Sequence, residues 1–187
     1  MNDDEKMACG MTRKTIVYKS LMNAAQVQHD SISIHQRIVI VDLSLVVSSF
    51  HLQLATYKAL LNESQGRMKT ESISSEVLYQ LSTSTDIERA LQEFRIHAGS
   101  TEVAFILVDT AETAAEVRLS VEQFKSEISK LAIDGIEIDL EELSSPSILT
   151  AEKEARIANF FNISDEDLIK LTLEESVANR LAAKDTA

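Results

Sequence analysis

The period of the apolar positions changes several times along the chain, and each change marks an element. The β-branched and aromatic run TIVYKSL (15–21) predicts a strand, after which Asn23 opens a short helical segment, NAAQVQHDS. RIVIV (37–41) is apolar without interruption, as in a strand buried on both faces, and Asp42 closes it. With Ser49 as N-cap, Phe50, Leu54, Tyr57 and Leu61 fall on one helical face, so a helix is expected over 50–63, ending at Gly66. Ile73, Val77 and Leu81 recur every four residues and favour a second, short helix. Thr85 with Glu88 reads as a capping box ahead of the stripe Ile87, Ala90, Leu91 and Phe94.

EVAFILVD (102–109) is the most apolar run and predicts a central strand. Ala114, Val117, Val121, Phe124, Ile128 and Leu131 step by three or four, which predicts one long amphipathic helix over 111–131, capped by Asp109 or Thr110. After Gly135, IEIDLEE alternates apolar with acidic residues in the manner of an edge strand. Pro146 marks a loop before a helix over about 151–161. Ser164 with Asp167 forms another capping box, opening a last helix over 165–183. Its main stripe is Ile169, Leu173, Val177 and Leu181, while Leu168 and Leu171 point away from that stripe. A final helix that is apolar on two sides calls for a second covering surface.

These elements sum to an α/β (α+β) fold: a small, mostly antiparallel sheet of about four strands packed with about six or seven helices. A length of 187 residues suits a single domain over 14–187 behind a mobile polar tail, 1–13. Hydrophobic residues at 44% argue against wholesale disorder. The net charge of −12 opposes a general nucleic-acid-binding role, so phosphate contact would need a local basic patch. A single cysteine, Cys9, excludes an internal disulfide and suits a reducing intracellular compartment. No apolar run approaches the roughly 20 residues of a membrane span, so no membrane partner is expected.

Candidate chemistry is sparse. His29, His35, His51 and His97 lack metal-ligand spacing, and Cys9 has no structured base beside it. The acidic run Glu137, Asp139, Glu141 and Glu142 is explained by alternation on an exposed strand. No catalytic residue, metal or cofactor is therefore expected. One basic cluster stands out from the acidic background: Arg67 and Lys69 in a loop, with Lys58 on the preceding helix and Arg89 on the following one. The residues alone leave open a phosphate-contacting loop, a partner-binding last helix and a free-standing small-ligand-binding regulatory domain. The last of these requires a pocket on the sheet and a final helix buried within the monomer.

VIVDLSLVVS, then LATYKALL, then GRMKTESISSEVLYQLSTSTDIERALQEFRI resemble the PRPK-binding protein (TPRKB-like) family, the small kinase-binding subunit of the KEOPS/EKC complex. The marks are Asp42, the pair Tyr57 and Lys58, Met68-Lys69-Thr70 ahead of Ser75-Glu76, Leu81-Ser82, and Ile87, Ala90, Leu91 and Phe94. The chain departs from the family pattern at Leu43 and Thr83, where proline is usual, at Glu71, where a basic residue is usual, and at Arg95, where glycine is usual. The resemblance implies a non-catalytic subunit that binds the complex's atypical (PRPK-like) kinase, meets the other subunits indirectly and supports threonylcarbamoyladenosine (t6A) formation in tRNA. It further implies kinase-binding residues Leu168, Ile169, Leu171, Val177 and Leu181, tRNA contact through Lys58, Arg67 and Lys69, and residence in nucleus and cytoplasm.

Overall fold

A computed structural model describes residues 12–109 and 119–184. The elements run β1 (Thr12–Lys19), α1 (Ala24–Asp30), β2 (Ile38–Asp42), α2 (Ser49–Ser64), α3 (Ile73–Gln80) and α4 (Ile87–Phe94). They continue β3 (Glu102–Val108), α5 (Val121–Ser129), β4 (Ile136–Ile138), α6 (Ala151–Phe160), α7 (Asp165–Lys170) and α8 (Leu173–Ala183). The sheet has the order β2-β3-β1-β4, and every neighbouring pair is antiparallel. This is the expected α+β architecture, with β3 central and β4 at an edge. Cys9, Thr110, Ala114 and Val117 lie outside the described residues.

Helices cover both faces of the sheet, which is why β2 and β3 read as continuous apolar runs rather than alternating ones. Val39, Val41, Ala104, Ile106 and Val108 point into one core with residues of α2, α3, α6 and α8. Ile16, Ile38, Val103, Phe105 and Leu107 point into the other, with Val27, Phe124 and Ile128. Successive strand residues thus feed opposite layers, and each large side chain so buried contributes roughly 1.5–3 kcal/mol.

Several local expectations shift. β1 covers Thr12–Lys19 rather than 15–21. The α2 cap is Ser48, whose hydroxyl accepts from the His51 amide at 3.3 Å, one residue before the expected Ser49. The α4 cap is Asp86, which accepts from the Arg89 amide at 3.2 Å, so Thr85 stands just outside the helix. The strand expected over IEIDLEE stops at Ile138, where Asp139 and Glu142 form a capping box on a 3-10 turn. Nor does one helix run through 119–131: Ser120 and Gln123 form a capping box that starts α5 at Val121. Gly66 ends α2 at φ +62, a conformation that disfavours residues with a Cβ.

The largest revision concerns the last helix, which is two. Leu171 is extended (φ −135, ψ 152), and Thr172 with Glu175 forms a capping box that starts α8 afresh. That second box, T-x-x-E, was visible in the sequence but hidden by a stripe that ran through it. α2 turns a different face inward from its apolar stripe: Leu52, Ala55, Thr56 and Ala59 are buried, while Phe50 and Tyr57 are 46% and 42% exposed. Alanines at 55 and 59 permit close approach to the sheet, so the small residues rather than the large ones mark the packed side.

His51 lies fully buried beneath this layer, edge-on to Phe94 and Phe161, with its Nε2–H donating to the Leu81 carbonyl at 3.1 Å. Burial lowers its pKa to about 4, outweighing the raising effect of that bond. A folded pKa below the unfolded value means that the unfolded chain binds the extra proton. Stability is therefore complete above pH 6.5 and falls as pH drops from 6.5 towards 4, by about 3 kcal/mol in all. Urea unfolding between pH 7 and 4 should show this slope, and His51→Gln, which keeps a donor for Leu81, should flatten it.

Candidate functional site

Glu76 constrains the loop between α2 and α3. Its side chain is fully buried in the first turn of α3. Oε1 accepts from Asn62 Nδ2 at 2.9 Å and Gln80 Nε2 at 2.8 Å. Oε2 accepts from the amides of Lys69 (2.9 Å) and Thr70 (3.1 Å) and from the Thr70 hydroxyl (3.1 Å). Burial pushes the carboxyl up, and these donors together outweigh it, holding Glu76 below the ordinary glutamate range. One carboxylate thus joins α2, the loop and α3.

With its backbone pinned, the loop turns its basic side chains outward. Arg67 and Lys69 are exposed and line a groove of about 800 Å³ with Lys58, Tyr79, Thr85, Ile87 and Lys184. The three basic residues to which the resemblance assigns tRNA contact therefore meet at one feature. They are not equivalent. Lys58 is 9% exposed, and its Nζ donates to the Leu181 carbonyl at 2.8 Å, fastening α8 to α2. Lys184 likewise donates to the Tyr79 and Ser82 carbonyls and lies 3.2 Å from the Tyr79 ring centroid. The Arg67 guanidinium bonds the Gln65 side chain. Arg67 and Lys69 present accessible positive charge, while Lys58 and Lys184 build the groove wall. Glu71, also exposed, subtracts charge from the same loop. Arg89 is exposed on α4 but does not line the groove.

The second candidate surface is α7. It contains no buried residue, and Leu168, Ile169 and Leu171 are 40%, 84% and 37% exposed. Val177 and Leu181, by contrast, are core residues at 1% and 0%. The break at Leu171 explains the division: α8 inserts its stripe into the monomer, and α7 keeps its apolar side chains outside. Phe50 and Tyr57 on α2, with Ile87 on α4, add further exposed apolar side chains, on stripes whose spacing had suggested packed faces.

Asp42, Ser100 and His97 meet where β2 ends, but not as a nucleophilic set. The buried Ser100 hydroxyl donates to Asp42 Oδ2 rather than to His97, and Asp42 Oδ1 accepts from the Ser44 amide at 2.8 Å. His97 Nε2 stands 3.7 Å from Asp42, and its Nδ1 accepts from the Gly99 amide at 3.0 Å. The arrangement locks a turn. Among the described residues no three His, Cys, Asp or Glu side chains are placed to hold a metal, and no helix is long and apolar enough to cross a membrane.

The model of a kinase-binding protein family, CGI-121, matches residues 18–185, from β1 through α8. The chain belongs to the kinase binding protein CGI-121 family. Similar curated proteins include the zebrafish EKC/KEOPS complex subunit TPRKB, 28% identical over 92% of this chain and 90% of that protein. The Yarrowia lipolytica EKC/KEOPS complex subunit CGI121 is 27% identical over 59% of this chain and 66% of its own. The Kluyveromyces lactis subunit CGI121 is 38% identical over 36% and 43% of the respective chains. In this CGI-121 family member the segment Met68-Lys69-Thr70 ahead of Ser75-Glu76 contains three members of that network, Lys69, Thr70 and Glu76.

Replacing Glu76 by Gln leaves one acceptor oxygen and turns an NH2 toward groups that all donate. An unfolding free-energy loss of about 2–4 kcal/mol is expected from chemical denaturation. Faster amide exchange at Lys69 and Thr70 should accompany it, because a neutral amide oxygen accepts from them more weakly than the carboxylate does.

Proposed function

We propose that this protein is a non-catalytic subunit of an EKC/KEOPS complex, binds the complex's atypical kinase, and so supports t6A formation in tRNA. The family assignment and the names of its relatives support the complex; the kinase contact has its own observation. α7 and its C-cap residue Leu171 hold three large apolar side chains outside the core, beside a helix that buries nothing, a poor arrangement for an isolated monomer and a suitable one for a docking surface. In this reading Leu168, Ile169 and Leu171 touch the kinase, and Val177 and Leu181 act by holding α8, and through it α7, in place. Phe50 and Tyr57 offer an additional contact face. The alternative of a free-standing ligand-binding domain requires the whole expected last helix to be buried in the monomer; α8 meets this and α7 does not.

The reading extends to tRNA contact at the groove, through Arg67 and Lys69, with Lys58 in a supporting position. Phosphate would be met by a flexible pair of cations on a rigid backbone, beside the Tyr79 ring. The acidic remainder of the protein keeps such contact weak and local. Residence in nucleus and cytoplasm follows from this role.

Leu168→Asp with Leu171→Asp should reduce copurification of the kinase by about tenfold or more, with an unchanged circular dichroism spectrum because neither side chain is in the core. Tyr57→Asp, made separately, measures the α2 contribution. Unaltered kinase capture by both variants would remove this assignment of the interface. For the groove, Arg67→Ala with Lys69→Ala should weaken binding of single-stranded RNA and lessen its salt dependence, by a log–log slope of roughly 0.7 for each phosphate that the variant no longer neutralises.

A further inference from the structure

The groove contains one hydroxyl whose surroundings fit a modification. Thr85 lies between α3 and α4 in the sequence LSTSTDIE, immediately before the helix cap Asp86. It is exposed, as are Asp86 and Glu88, one and three residues beyond it. A hydroxyl followed by carboxylates at those positions is complementary to the basic substrate cleft of an acidophilic serine/threonine kinase. Because Asp86 rather than Thr85 caps α4, the Thr85 side chain is not needed for the cap, and substituting it leaves that bond in place. Thr85 also lines the same groove as Arg67 and Lys69.

We propose that Thr85 is a phosphorylation site for an acidophilic kinase, and that its phosphate docks on Arg67 and Lys69 and closes the groove to nucleic acid. The second half rests on the groove reading given under Proposed function. In the transfer, Thr85 Oγ1 attacks the γ-phosphorus of ATP. The new O–P bond forms as the bond to the β,γ-bridging oxygen breaks; ADP departs with that oxygen, and the hydroxyl proton passes to the kinase's base. The product carries a charge of about −1.5 to −2, enough to neutralise two cations. Being tethered, it competes with incoming phosphates at an effective concentration on the order of millimolar.

The full chain is treated with a purified acidophilic kinase and ATP, and the product is mapped by fragment mass spectrometry. One phosphoryl group at Thr85 is expected, absent in Thr85→Val and formed several-fold more slowly in Glu88→Lys; an unmodified Thr85 overturns the site. A 31P NMR titration then reports the second phosphate pKa. It should lie below the ordinary value of about 6 and return toward it in Arg67→Ala with Lys69→Ala. An identical value in both proteins overturns the docking. Finally, the modified chain should bind a single-stranded RNA oligonucleotide about tenfold more weakly than the unmodified chain. Equal binding by the two overturns the gating alone. No binding by the unmodified chain at low salt overturns the groove reading and the gating with it, while mass and NMR still decide the site and the docking.

Discussion

A buried carboxylate that forms no ion pair among the described residues holds the α2–α3 part of the helical layer together. Glu76 is held by five donors drawn from α2, from the following loop and from its own helix. Such a group is tolerable inside a protein only when its lone pairs are filled, and filling them here fixes the path of the backbone from Lys69 to Thr70. The loop's conformation is therefore set from within. Its outer side chains are left free to be chosen for what they meet, and Lys69, which satisfies Glu76 through its amide, offers positive charge to solvent through its tip.

The other organising feature is a division of labour across a single residue. Leu171, in extended conformation, separates a helix that packs from one that does not. α8 supplies Val177 and Leu181 to the core and is fastened by two lysines, Lys58 and Lys184, that donate to backbone carbonyls rather than to carboxylates. α7 hangs beside it, capped by Ser164 and Asp167 and braced by Arg180, which bonds both Asp167 and the Asn162 carbonyl. Rigid anchorage of α8 is what lets so short a helix as α7 keep a defined position.

The sequence disclosed the sheet readily, because β2 and β3 are buried on both faces and their apolar runs have no competing interpretation. It was less informative wherever a stripe of apolar residues crossed a cap. Ile169 aligned with Leu173 on paper, but Thr172 and Glu175 interrupt the backbone between them. On α2 the largest apolar residues drew attention to Phe50 and Tyr57, whereas Ala55 and Ala59 determine which side meets the sheet. Basic residues were identified by charge, which carries no information about burial; only the fold separates Lys58, a fastening, from Arg67 and Lys69, which face outward. The role of Glu76 needed three dimensions, since its partners lie on either side of a loop.

The bond from Lys58 to the Leu181 carbonyl joins residues 123 positions apart. On a ribosome, α2, the basic loop and α3 emerge long before the segment that completes this face. The wall of the groove is thus closed only once α8 has been made, and pairings of such sequence separation are slow to form. A chain interrupted before α8 would lack the closing member of a layer built by α2 and α3. The groove in this way exists only in a chain that has been extended through α8.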